Sequence, residues 1–228
     1  MIEMKNVQKT YPNGVSAVKG LNVKIQSGEF VYVVGPSGAG KSTFIKMMYR
    51  EEKPTSGTIT INGRDIANIK DRKVPLLRRD IGVIFQDFKL LNNLTVFENI
   101  AFALEVTEEK PQAIKKKVME VLELVGLKHK VRMFPNELSG GEQQRVAIAR
   151  SIVRSPKLVI ADEPTGNLDP DTSWEIMKIF EEINSLGTTV IMATHNKDIV
   201  NTLQHRVIAI EGGLIVRDEQ KGEYGYEL

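Results

Sequence analysis

The apolar runs Phe30 to Val34, Ile81 to Phe85, Leu158 to Ala161, Thr188 to Ala193 and Arg206 to Ile210 are short and bounded by Gly, Pro or charged residues. Such runs predict parallel strands buried on both faces, with helical patterns between most of them. A second pattern, alternating apolar and polar positions, covers Ala17 to Ile25 and Thr58 to Ile61, with turn pairs at Asn13-Gly14, Asn62-Gly63 and Gly212-Gly213. It predicts an antiparallel layer flanking the parallel sheet. The class is α/β with mixed sheets.

Between Gln86 and about Pro156 the strand patterns stop, while Pro111 to Val125 and Gly140 to Val153 show helical spacing, with Ser139 placed as N-cap of the second. This predicts a helical subdomain over residues 86–155, inserted into a core made of residues 1–85 and 156–228. Pro54 to Gly57 and Phe134-Pro135-Asn136 read as turns, and Lys115 to Lys117 as a solvated helix face.

Composition narrows the picture. At 228 residues and 41% hydrophobic, the chain can bury one substantial core. Its 31 basic and 29 acidic side chains give no electrostatic footprint for nucleic acid. That balance suits a cytosolic protein. With no cysteine there is no disulfide framework, thiol nucleophile or cysteine metal site. Met1 to Val7 lacks the profile of a secretory signal, and no stretch approaches the roughly 20 apolar residues that span a bilayer. Work at a membrane would therefore need a partner.

Candidate chemistry begins at Gly35-Pro36-Ser37-Gly38-Ala39-Gly40-Lys41-Ser42-Thr43, a G-x-x-x-x-G-K-[ST] loop between the strand Phe30 to Val34 and the helical run Thr43 to Tyr49. Successive N–H groups of such a loop converge on phosphate oxygens at a helix N-terminus. Lys41 would reach the β and γ phosphates, and the Ser42 hydroxyl would bind Mg²⁺. Asp162 and Glu163 end the strand Leu158 to Ala161. Neighbouring strand residues point oppositely, so Asp162 can face Mg²⁺ through its water shell while Glu163 polarises the attacking water. His195 closes the run Thr188 to Thr194, where it could touch the γ phosphate or Glu163. His129 and His205 read as structural.

Leu138-Ser139-Gly140-Gly141-Glu142-Gln143-Gln144-Arg145 resembles the signature sequence of the ABC (ATP-binding cassette) ATPases. The likeness covers essentially the whole chain. It implies an ABC nucleotide-binding domain, with a RecA-like phosphate-loop core, an antiparallel β layer and an inserted α-helical subdomain. The cofactors implied are ATP and Mg²⁺. Tyr11 resembles the residue that stacks on adenine, Gln86 the glutamine that approaches the metal and γ phosphate, and Asn167-Leu168-Asp169 the loop that communicates across a dimer. In that family two copies pack head to tail. The phosphate loop of one and Ser139, Gly140, Gly141 and Glu142 of the other would then enclose each ATP.

Within the ABC ATPases, Val74 to Arg79, Ile81 to Asp87 with Lys89-Leu90-Leu91, Ala161 to Asp169 and Met192 to Asn196 resemble the bacterial cell-division ATPases of the FtsE family. The tail from Arg217 through Tyr224-Gly225-Tyr226 is similar too. This likeness implies an FtsX-like integral membrane partner, an indirect link to a peptidoglycan hydrolase, and a place at the cytoplasmic face of the membrane at the division septum. Phe88 and Leu90 to Phe97 are expected to form the cleft for a partner helix, with Leu91 and Val96 as contacts. Rival readings are the ATPase of a lipoprotein-releasing or macrolide-exporting transporter, and an ATP-gated scaffold with negligible turnover.

Overall fold

The two hydrophobic patterns produce two sheets. The structure, a computed structural model, describes residues 1–106 and 109–224; Gly225 and Tyr226 of the tail lie outside them. The five continuous apolar runs become β3 (Phe30–Val34), β6 (Ile81–Ile84), β7 (Leu158–Asp162), β8 (Thr189–Ala193) and β9 (Arg206–Glu211). They pair in parallel, and with β10 (Leu214–Glu219), antiparallel to β9, they form a six-stranded sheet in the order β10-β9-β3-β8-β7-β6. The alternating segments become β2 (Ser16–Ile25) and β4 (Ser56–Ile61), which flank β1 (Ile2–Thr10) in an antiparallel sheet completed by the short β5 (Arg64–Asp65).

Alternate residues of each parallel strand feed separate cores, because successive strand side chains face opposite ways. Val31 and Val33 of β3 pack toward the antiparallel sheet and α1 (Lys41–Met48), whereas Tyr32 and Val34 pack toward the remaining helices. These are α3 (Val96–Glu105), α4 (Pro111–Leu124) and α5 (Gly140–Ile152) between β6 and β7, and then α6 (Pro170–Ser185) and α7 (Lys197–Leu203); α2 (Val74–Arg79) precedes β6. Among the described residues no helix is long and apolar enough to cross a membrane.

Several elements depart from the sequence pattern. β1 escapes the alternation test because its register shifts between Met4 and Val7, and Asn6 takes a left-handed φ of 48°. β10 is largely exposed, and its apolar residues, Leu214 to Val216, are followed by three charged ones. α3 begins inside the segment expected to form a partner cleft. Its first residue, Val96, is 0% exposed and belongs to the core, with Leu90 and Phe97 packed against that core, while Leu91 is 36% exposed. Burial thus removes Val96 from any docking surface.

The parallel sheet fixes where chemistry can occur. β3, β6, β7 and β8 all run the same way, so the loops after them, at Gly35, Gln86, Glu163 and Thr194, emerge along one edge. Ligand sites of open α/β sheets form at this carboxyl edge.

Candidate functional site

The phosphate loop owes its path to two glycines. Gly35 has φ 143° and a Cβ there would sit 2.0 Å from Ile210 O; Gly40 has φ 106° and a Cβ would sit 2.4 Å from Ala17 O. Neither conformation nor space admits a side chain. Gly40 is the N-cap of α1 and offers no side-chain cap, which leaves the first N–H groups of the helix directed outward. Lys41 Nζ donates to Gly35 O (2.8 Å) and Pro36 O (3.0 Å), holding the ammonium across the loop. Ser42 is exposed and Thr43 buried, the Thr43 hydroxyl lying 3.1 Å from Tyr11 Oη. That hydrogen bond places the Tyr11 ring beside the start of α1. Loop, lysine and ring together fit a nucleoside triphosphate.

Asp162 is the last residue of β7, and Glu163 turns away from the strand. Strand alternation does not separate the two carboxylates as expected: Glu163 adopts a left-handed φ of 51° and donates its N–H to Ala193 O at 3.0 Å. Glu163 Oε2 accepts the His195 N–H at 3.2 Å and lies 2.8 Å from His195 Nδ1. The side chain of Glu163 is 18% exposed and that of His195 65%. Burial pushes the Asp162 carboxyl up from its ordinary range, the charge of Glu163 adds to this, and Lys46 and Lys41 oppose it. A cation beside Asp162 would offset that penalty.

Ser42, Gln86 and Asp162 together supply a hydroxyl, an amide and a carboxylate, the oxygen donors that suit Mg²⁺. Among the described residues no three His, Cys, Asp or Glu side chains converge as a metal cage. An ion here would share phosphate oxygens and water, as Mg²⁺ commonly does. Gln86 Nε2 donates to Asn167 Oδ1 (3.2 Å) and Asn167 Nδ2 to Gln86 O (3.4 Å), so the loop after β6 is tied to the loop after Glu163.

The signature segment folds as its pattern indicates. Ser139 caps α5: its Oγ accepts the Glu142 N–H (3.3 Å), and Glu142 Oε2 accepts the Ser139 N–H (2.9 Å). A salt bridge to Lys130, then these hydrogen bonds, hold the Glu142 carboxyl below its usual range. Gly140, half-buried, and Gly141, buried, occupy the first turn, and a Cβ at Gly141 would come 2.3 Å from Thr172 Cγ2 of α6. The recess around Ser139, Gly141 and Glu142 is lined by Gly126, His129, Thr172 and Glu175, and by none of the phosphate-loop residues. Within one chain the structure therefore joins Glu163 with His195 and Thr43 with Tyr11, but leaves the Ser139 tip apart from residues 35–43.

Two features were not read from the sequence. Gln144, fully buried on α5, donates to Pro164 O at 2.6 Å. A groove of about 500 Å³ between α2, β6, α3 and α5 is lined by Pro75, Val83, Phe85, Ala103 and Val106, with Arg78, Arg79, Arg150 and Arg154 around it. The Arg78-Arg79 pair and the i, i+4 spacing of Arg150 and Arg154 were the available signals, but only tertiary packing brings them together.

The family model described as ABC transporter matches residues 18–166. The chain is 72% identical over 225 residues, 99% of each sequence, to the cell division ATP-binding protein FtsE of Bacillus subtilis (strain 168). It is 51% identical over 228 residues to the protein of that name from Mycobacterium tuberculosis, covering 100% of this chain and 99% of the relative. Among solved structures, a dimeric ATP-binding cassette in a post-hydrolysis state with ADP and Pi matches with TM-score 0.89 and 36% identity, over 97% of this chain and 99% of that one. The cassette cbiO1 from Clostridium perfringens, part of the transporter complex cbiONQ, matches with TM-score 0.89 and 33% identity, over 96% and 88%.

Proposed function

The chain belongs to the ABC transporter family of ATPases, and from that premise we propose that it is the ATP-hydrolysing subunit of a cell-division complex whose other component is an FtsX-like membrane protein. The observation that carries the catalytic part is the Glu163–His195 pair at the edge that also bears the phosphate loop and Asp162. Both contacts of His195 fall on Oε2 of Glu163, which leaves Oε1 to accept a proton from, and aim, the attacking water. Lys41 exchanges Gly35 O and Pro36 O for phosphate oxygens, and Tyr11 stacks on the base. Mg²⁺, held by Ser42, Gln86 and, through water, Asp162, would neutralise charge on the β- and γ-phosphate oxygens.

Separation of the Ser139 tip from the phosphate loop supports a site completed by a second copy, as does the solution of a similar cassette as a dimer. Gly140 and Gly141 would present N–H groups, and Ser139 its hydroxyl proton, to the triphosphate of the other copy, with Glu142 closing the cap that holds this turn in place. Two equal sites follow from twofold symmetry. Pairing on ATP and separation after hydrolysis would be transmitted through the arginine-rimmed groove, beside Gln86, to a partner helix with apolar and acidic faces. The regulated step would be peptidoglycan hydrolysis outside the membrane, with this chain on the cytoplasmic face at the division site.

Sedimentation and turnover of Glu163→Gln test the reading. With Mg²⁺ and ATP the variant should accumulate as a dimer and hydrolyse about 10²- to 10⁴-fold more slowly than the unmodified chain, the range general-base catalysis contributes. Lys41→Ala should lose nucleotide binding and remain monomeric. Normal turnover by Glu163→Gln would remove Glu163 from the mechanism.

A further inference from the structure

Gln144 lies in the second turn of α5, 0% exposed. Its Nε2 donates to the carbonyl of Pro164, the residue after Glu163, at 2.6 Å. Because that partner is a carbonyl oxygen, the amide orientation is fixed by chemistry. No donor among the described residues reaches Gln144 Oε1. A buried acceptor left unpaired is unfavourable, so an apolar side chain would fill this place more comfortably. The amide is explained by what it holds.

Its partner segment turns at a strained point. Glu163 sits in the left-handed region, and the loop from Glu163 to Asp169 is held by Glu163 N–H to Ala193 O, Gly166 N–H to Glu163 O and the Gln86–Asn167 pair. The first turn of α5 packs against the far part of the same loop and the helix after it: Leu168 lies over Gly140, and Thr172 over Gly141. Gln144 is the point at which α5 grips the near part, at the residue that follows Glu163.

We propose that Gln144 is a positioning residue for Glu163, clamping the Pro164 carbonyl so that the water-orienting carboxylate is kept in register with the signature helix of its own chain. This rests on the reading of Glu163 above and goes beyond it. The tip of α5 addresses the triphosphate held by the second copy, and its second turn holds the carboxylate that serves the first. A displacement of α5 by one ATP is thereby felt at the other, which makes the two sites interdependent.

Steady-state ATP hydrolysis by the full chain, with Glu163→Gln measured alongside, tests this. In Gln144→Met, kcat should fall about tenfold, of the order expected when a positioning contact is lost. KM for ATP should stay within about twofold, because Gln144 hydrogen-bonds to Pro164 O and, among the described residues, to none of residues 35–43, and the dependence on ATP concentration should lose any sigmoidal character. In Gln144→Glu, a carboxyl can donate to Pro164 O only while protonated, and burial favours that form. Its turnover relative to the unmodified chain should therefore fall as pH rises through the range where the proton leaves. An unchanged kcat in Gln144→Met, or parallel loss of kcat, nucleotide affinity and melting temperature, would overturn the proposal. So would a pH-independent ratio in folded Gln144→Glu; if that variant does not fold, the kcat-against-KM split in Gln144→Met decides. Normal turnover by Glu163→Gln would refute the underlying reading, whereas an inactive Glu163→Gln beside a fully active Gln144→Met would refute this inference alone.

Discussion

Single positions in this protein are set by how closely backbones approach. Gly141 is the clearest case, since a methyl there meets Thr172 Cγ2 at 2.3 Å, well inside van der Waals contact. Gly141→Ala should push α5 from α6 and destabilise the fold by about 1–3 kcal/mol, the usual cost of overpacking, measured by denaturant unfolding. Removing the obstructing methyl tests the cause. Thr172 Cβ itself stands 3.7 Å from the added carbon, an ordinary contact, so Gly141→Ala combined with Thr172→Ala should recover most of the loss. A double variant no more stable than the single one would assign the loss to the backbone of α5 instead.

Helix starts carry the charge logic of the fold. Hydrogen bonds from Thr95 at the start of α3 lower the Glu98 carboxyl, Lys130 and then Ser139 lower Glu142 at α5, and Thr172 lowers Asp169 at α6. A depressed carboxyl contributes stability that is complete above its unfolded value, about 4, and is lost as pH falls through the folded one. Melting temperature should thus drop steeply as pH falls below about 4. Asp169→Asn retains an acceptor for the Thr172 N–H but does not titrate, so its melting temperature should fall less steeply over that interval. An identical slope would show that this cap does not contribute to acid unfolding. Ser139 has two duties, because it caps α5 and sits at the proposed trans site. Loss of turnover in Ser139→Ala must therefore be compared with its loss of stability, about 1 kcal/mol for a cap.

At the scale of the molecule, the nucleotide edge and the arginine-rimmed groove are neighbours through β6, whose end leads into Phe85 on the groove and Gln86 on the edge. Arg150 donates to Phe88 O and Lys89 O and is structural, whereas Arg79 is exposed and donates to Val106 O. Arg79→Glu should reduce recovery of the membrane partner from detergent-solubilised membranes several-fold while ATP-driven dimerisation persists, because a reversed charge in a complementary interface repels its partner. Unchanged recovery would exclude the groove. Val96→Glu offers no such separation, since burying a charge in the helical core would unfold the chain.

Local sequence was sufficient wherever a pattern and its partner lie side by side in the chain. Five buried strands, the turn from β3 into α1, the cap at Ser139 and the carboxylates at the end of β7 were all legible, because strand period, glycine placement and capping act within a few residues. β1 was not, because a bulge erased its alternation and its neighbours β2 and β4 alone define its register. Nor were the left-handed turn at Glu163, the Gln144 clamp on a carbonyl 20 residues away or the Gln86–Asn167 tie across 81. Hydropathy records that a side chain leaves water. Which distant group it meets there is decided only when sheet order and helix packing bring separate stretches of chain into contact.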